Sequence, residues 1–152
     1  MDARRFLMRM TGIDFLGIDF TDEREWFCVT VDDIDDGVIA VLVFEFKSTF
    51  DPFMTVAISH QRGLSRKLIT AIARAVFSRA ARISALIRTD DRVSASILDR
   101  IGFIAEGYVR RGYDGRKDAI LYGLMPEECP YLAGRPRMRP IQPTHETAQG
   151  LQ

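Results

Sequence analysis

The sequence is poor in the residues that build disulfide frameworks and metal centres. It has 2 cysteines, Cys28 and Cys129, and 2 histidines in 152 residues. The cysteines lie far apart and lack ligand-type spacing, which excludes a stapled secreted fold and a thiolate metal centre; both thiols are expected to stay reduced. Long apolar runs are missing too. None approaches the roughly 20 residues of a spanning helix, and only a short apolar patch follows Met1-Asp2-Ala3-Arg4-Arg5. Neither a signal peptide nor a membrane anchor is expected, so the location is read as cytoplasmic. Net charge is the third absence. Lysine plus arginine total 21, as do aspartate plus glutamate. That balance leaves no electrostatic ground for nucleic acid or an anionic membrane as the main partner. The acidic stretch Asp32-Asp33-Ile34-Asp35-Asp36-Gly37 lacks the remaining spacing of a calcium loop and its closing glutamate, so no metal is expected.

Material for a core is plentiful. Hydrophobic residues make up 47% of the chain, and the length suits one domain, read here as residues 1–130. Beyond Glu128 the chain has 4 prolines and little apolar periodicity. Residues 131–152 are therefore read as a proline-rich tail, flexible or laid along a partner.

The patterning gives an order of elements. Around Phe6, Met8 and Met10 a strand and a short helix fit about equally. Trp26 to Val31 alternates and reads as a strand. The Asp-Gly turn leads to Val38–Phe46, an apolar run expected to be buried on both faces. Phe53–Ser59 reads as a third strand. Leu64–Ala80 has helical periodicity, with Leu68, Ile69, Ile72, Ala73, Val76 and Phe77 on one face. Arg82–Arg88 is a further strand. Asp90 or Asp91 then caps a helix that buries Val93, Ile97, Leu98 and Ile101 and stops at Gly102. Phe103–Arg111 and Ala119–Met125 form a hairpin around Tyr113-Asp114-Gly115-Arg116. Strand–helix–strand in the middle implies a parallel pair inside an otherwise antiparallel sheet, with helices on both faces: a mixed α/β fold.

The stretch with the most chemical content is His60-Gln61-Arg62-Gly63-Leu64-Ser65-Arg66-Lys67-Leu68, between the third strand and the long helix. A glycine at such a turn lets backbone approach a ligand closely. Unpaired amides at the start of the following helix suit a phosphate. Arg62, Arg66 or Lys67 can add charge-assisted contacts, and His60 can reach the same ligand. A phosphorylated cofactor is therefore expected here. The turn lacks the lysine and hydroxyl spacing of a P-loop, which disfavours a nucleotide module.

These residues resemble the GNAT N-acetyltransferase superfamily. Its cofactor signature, Gln/Arg-x-x-Gly-x-Gly/Ala before a long helix, is similar to His60-Gln61-Arg62-Gly63-Leu64-Ser65. Gly63 matches, Ser65 is a small stand-in, and His60 departs from the usual residue. The family's Asn-x-x-Ala-Ile-x-Leu-Tyr-x-Lys-x-Gly-Phe pattern is resembled without gaps by Asp91-Arg92-Val93-Ser94-Ala95-Ser96-Ile97-Leu98-Asp99-Arg100-Ile101-Gly102-Phe103. The closing segments Asp114-Gly115-Arg116-Lys117-Asp118 and Ile120-Leu121-Tyr122-Gly123-Leu124-Met125 resemble the ribosomal-protein N-terminal acetyltransferase branch. Followed by Glu127-Glu128-Cys129, they also resemble small phage- and prophage-encoded members. The likeness spans about residues 38–132.

The resemblance implies acetyl-CoA as cofactor and a primary amine as acceptor, either a protein N-terminus or a small amine. It implies that Gln61, Arg62, Gly63, Leu64, Ser65 and Arg66 bind the diphosphate. Val56, Ala57 and Ile58 would pair with the pantetheine arm, and Asp91 and Ser94 would lie near that arm. The family's usual tyrosine acid falls at Leu98, which cannot donate a proton. Tyr108, Tyr113 and Tyr122 qualify by type alone. Glu45, on the strand before the cofactor strand, is the first candidate for a catalytic base or amine binder. A catalytically impaired domain that serves as an interaction or virion-associated protein is the alternative. A phage-encoded chain would then lie in the host cytoplasm or in the virion. The last strands offer a route to a homodimer, and the tail a route to an assembly partner.

Overall fold

The computed structural model describes residues 2–11, 24–48, 50–59 and 64–132. Among them the order is α1 (Ala3–Thr11), β1 (Trp26–Asp33), β2 (Gly37–Glu45), β3 (Phe53–Ile58), α2 (Arg66–Phe77), β4 (Ile83–Arg88), α3 (Arg92–Ile101), β5 (Ile104–Val109) and β6 (Ala119–Leu124). A short 3-10 turn, Pro126–Glu128, follows. The strands form one 6-stranded sheet in the order β1-β2-β3-β4-β6-β5. β3 and β4 run parallel, and every other neighbouring pair is antiparallel. No helix among the described residues is long and apolar enough to cross a membrane.

The elements follow from local chemistry. In the β1–β2 turn, the Asp33 carboxylate accepts the amides of Asp35 at 2.9 Å and Asp36 at 3.3 Å. Gly37 then takes φ +68°, a conformation that most side chains avoid. β2 lies between β1 and β3, and its apolar run is buried on both faces. Val41 and Val43 pack with Phe6 and Leu7 of α1, Trp26 and Ala57. Leu42 and Phe44 face the larger core built by α2 and α3. One helix on one face and two on the other agree with the expected layering.

The ambiguous first segment is helical. Phe6 and Leu7 are buried while Met8 and Met10 are exposed, a spacing that fits a helix and breaks the period of a strand. α2 is shorter than Leu64–Ala80. The Ser65 hydroxyl caps it by accepting the Leu68 amide at 3.2 Å, so Leu64 lies outside the helix and is buried in the core. The far end closes at Ser78, whose amide donates to Arg74 and Val76 carbonyls.

α3 corrects one core assignment. Val93, expected inside, is 58% exposed. The inward stripe is Ser94, Ile97, Leu98 and Ile101, at spacings of three and four, which leaves Val93 one position off that face. Asp91, not Asp90, is the cap: its carboxylate accepts the Ser94 amide at 3.0 Å. At the other end Gly102 takes φ +109°, and the amides of Gly102 and Phe103 both reach the Leu98 carbonyl, at 3.1 and 3.0 Å.

Candidate active site

β3 and β4 pair over two positions only, Phe53↔Ser84 and Met54↔Ala85. Beyond them the strands diverge. Thr55 and Val56 on one side, and Leu86 and Ile87 on the other, line a cavity of about 110 Å³. α3 supplies Asp91, Ser94 and Leu98 to its wall, and the β5–β6 hairpin supplies Gly112 and Tyr113. A parallel pair that opens in this way leaves peptide groups on its inner edges without a strand partner, so an extended ligand with amide groups can pair with them.

The structure brings Val56, Asp91 and Ser94 together at this cavity. It does not bring Ala57 or Ile58 there. Ala57 is 3% exposed in the α1-side cluster, and Ile58 packs against the larger core. Leu64 is a core residue, and Ser65 is occupied as the α2 cap. The Arg66 guanidinium lies over the Tyr131 ring, 5.8 Å from its centroid. His60, Gln61, Arg62 and Gly63 lie outside the described residues. Glu45 is at the closed end of the wedge, opposite Phe53, and its carboxylate pairs with the Lys47 ammonium at 3.6 Å. It is not part of the cavity wall.

Asp91 thus has two places at once, as helix cap and as cavity wall. Asp91→Ala is expected to destabilise the fold by about 1 kcal/mol, read in denaturant unfolding, and Asp91→Asn to restore most of that loss. Equal stability of all three proteins would remove the cap from the account.

Tyr113 is the residue that the spacing could not single out. It is set by a turn rich in polar ties. The Asp114 carboxylate accepts the amides of Arg116 at 2.8 Å and Lys117 at 2.7 Å. Asp118 accepts the Arg111 amide at 2.8 Å and the Tyr108 hydroxyl. These bonds hold the carboxyls of Asp114 and Asp118 below the usual carboxylate range. Arg111 takes φ +53°, and at Gly112 an added Cβ would collide with the Val109 side chain, so the turn is tight.

The turn delivers the Tyr113 hydroxyl to the end of α1, where it donates to the Thr11 carbonyl at 3.1 Å. The Arg88 guanidinium lies 5.9 Å from the ring centroid. Burial pushes the Tyr113 hydroxyl pKa up; Arg88 opposes this, and Asp91 and Asp114 add to it. A folded pKa above the unfolded value stabilises the protein below about pH 10, and that contribution is lost as the pH rises through the folded value.

A mixed six-stranded sheet with one short parallel pair, opening beside a capped helix, is the fold of the GNAT N-acetyltransferases. Residues 53–111, which carry the parallel pair, both long helices and Arg111, match the family model described as FR47-like protein. Among solved structures, a mutant spermidine N-acetyltransferase from Vibrio cholerae is 16% identical at TM-score 0.59, over 74% of this chain and 71% of its own. The ribosomal-protein-S18-alanine N-acetyltransferase from Escherichia coli is 18% identical at TM-score 0.54, over 66% of this chain and 69% of its own. A ribosomal-protein-S5-alanine acetyltransferase from Vibrio fischeri is 19% identical at TM-score 0.58, over 70% and 64%. At these identities the likeness is one of fold. No curated protein matches the chain at a significant level.

Proposed function

We propose that this protein is an acetyl-CoA-dependent N-acetyltransferase that acts on a primary amine, either a protein N-terminus or a small amine. The observation that carries the reading is the divergence of β3 from β4 after Met54↔Ala85, with a cavity between the strands. The fit to the cofactor is one of chemistry. The pantetheine arm is a slim chain with two amides, which suits a cleft with apolar walls and strand peptide edges. Val56 and its neighbours on β3 would hold it, with Ser94 beside it. The diphosphate would lie toward the start of α2, where the Leu68 amide is capped by Ser65 but the Arg66 and Lys67 amides have no partner within the helix. Acetyl-CoA supplies an activated acyl group; the protein aligns an amine with it and keeps water away.

The structural relatives, a spermidine N-acetyltransferase and a ribosomal-protein-S18-alanine N-acetyltransferase, support an amine acceptor as a class. The reading places the protein in the cytoplasm, and the wholly exposed β5 offers an edge for a homodimer. A second reading, a cofactor-holding domain without turnover, is favoured by Leu98. This residue is 1% exposed, lies on the cavity wall and carries no proton to give.

Calorimetry with acetyl-CoA, then thiol release with spermidine and with an alanine-terminated peptide, separates the two. Binding with release supports the enzyme, and binding without release supports the second reading. Absence of binding at millimolar cofactor overturns both. Gly63→Glu is expected to lower acetyl-CoA affinity at least about tenfold, near 1.4 kcal/mol, with melting unchanged. Affinity equal to wild type would move the diphosphate elsewhere.

A further inference from the structure

We infer that Arg82 is a positioning residue: with Asp51, Ser84 and Glu106 it clamps the closed end of the β3–β4 wedge and so sets the width of the cleft. What the cleft holds rests on the acetyl-transfer reading above. Ile83 and Ala85 face the larger core, so Arg82 and Ser84 lie on the other face of the sheet. The Arg82 guanidinium reaches the Glu106 carboxylate through two nitrogens, at 2.7 and 3.3 Å. It lies 3.5 Å from the Asp51 carboxylate. Ser84 is 5% exposed; its hydroxyl donates to Asp51 at 2.8 Å and accepts from Arg82 at 3.1 and 3.2 Å. Asp51 precedes β3, whereas the other three residues belong to the β4-β6-β5 side. The cluster therefore crosses the one parallel junction of the sheet.

Two irregularities of the sheet serve this cluster. The β5 register shifts between Ala105 and Gly107, which leaves Glu106 without a β6 partner and re-aims its side chain toward Arg82. β6 has Gly123 at the crossing, where a Cβ would collide with the Glu106 carboxylate and the Arg82 guanidinium. The cluster also sits at the pivot of the wedge. The amides of Ala81 and Arg82 donate to the Phe50 carbonyl, and that of Ser84 donates to the Pro52 carbonyl. From Ser84, β4 runs on to Arg88, roughly 13 Å at about 3.3 Å per residue. A swing of about 5° at the pivot moves that end by roughly 1 Å. An extended ligand bonded to both inner edges needs a gap of about two strand spacings, roughly 9.5 Å. The clamp thus decides over what length the cleft has that width.

Arg82→Met and Glu106→Gln, alone and together, test this without relying on turnover alone. In hydrogen exchange of the free protein, each single variant is expected to speed the amides at positions 81, 82 and 84 about tenfold. Those along β2 should keep their wild-type rates. The double variant is expected to match Arg82→Met, because the two side chains act through one contact. With spermidine or the alanine-terminated peptide, KM for acetyl-CoA is expected to rise about five- to tenfold while kcat stays within about twofold. Arg5→Gln, which breaks the exposed Arg5–Asp2 pair on α1, is the control and should behave as wild type. Equal acceleration along β2 means a general loss of stability and overturns the clamp. Unchanged exchange overturns it too, as does faster exchange at the three positions with wild-type affinity for acetyl-CoA. A wild-type chain that binds no acetyl-CoA overturns the acetyl-transfer reading, and the exchange rates then decide the clamp by themselves.

Discussion

Gly102→Ala is expected to destabilise the protein by about 2–4 kcal/mol. A non-glycine residue held at positive φ costs roughly 1–3 kcal/mol, and Gly102 takes +109°. The remainder comes from crowding. A Cβ on Gly102 would lie 2.7 Å from the Glu128 carbonyl oxygen and 3.1 Å from Pro130. The first neighbour is backbone and cannot rotate away, so either α3 or the 3-10 turn must shift. Both ends of that shift are buried: Leu98 and Ile101 on one side, Cys129 on the other. For a chain of this length the melting temperature should fall by roughly 4–16 °C, readable by calorimetry. A variant that melts with the wild type would mean that the 3-10 turn does not lie against the end of α3.

Ser94→Trp should separate binding from folding. Ser94 is half-buried in the first turn of α3, on the cavity wall. An indole there would fill the space between the diverging strands without entering the main core. Acetyl-CoA affinity is expected to drop at least about 100-fold, near 2.8 kcal/mol, with the melting temperature little changed. Val93→Trp is the control, because Val93 is 58% exposed and off the inward stripe, so its affinity should match wild type. If the Ser94 variant binds as tightly as the control, the ligand does not pass between β3 and β4.

The sheet and its helices were legible because burial leaves a direct mark on the pattern. β2, covered on both faces, reads as an unbroken apolar run, and α2 repeats its buried residues at spacings of three and four. Strand ends and helix ends were less legible, since a cap such as Ser65 looks like any small residue until its amide partner is known. Val93 was misplaced for a related reason: on a short helix one apolar residue beside the stripe shifts the inferred face. The site was legible only in part. Asp91 and Ser94 reach the cavity by their place at the start of a helix. Glu45 had the right chemistry, but distance from the opening is a property of strand register. Tyr113 had no signal in spacing, because its position depends on a tight turn stabilised by Asp114 and Asp118 and on the approach of α1 from the far end of the chain.

The brevity of the β3–β4 pairing has a mechanical consequence. The sheet is two three-stranded ribbons, β1-β2-β3 and β4-β6-β5, stitched through two residue pairs and clasped by α2 and α3. A molecule lying in the gap would act as the missing length of seam. Filling it at 100 times its dissociation constant adds about 2.7 kcal/mol to the folded state. The empty protein would therefore come apart first along that line, and the occupied one would have to yield somewhere else.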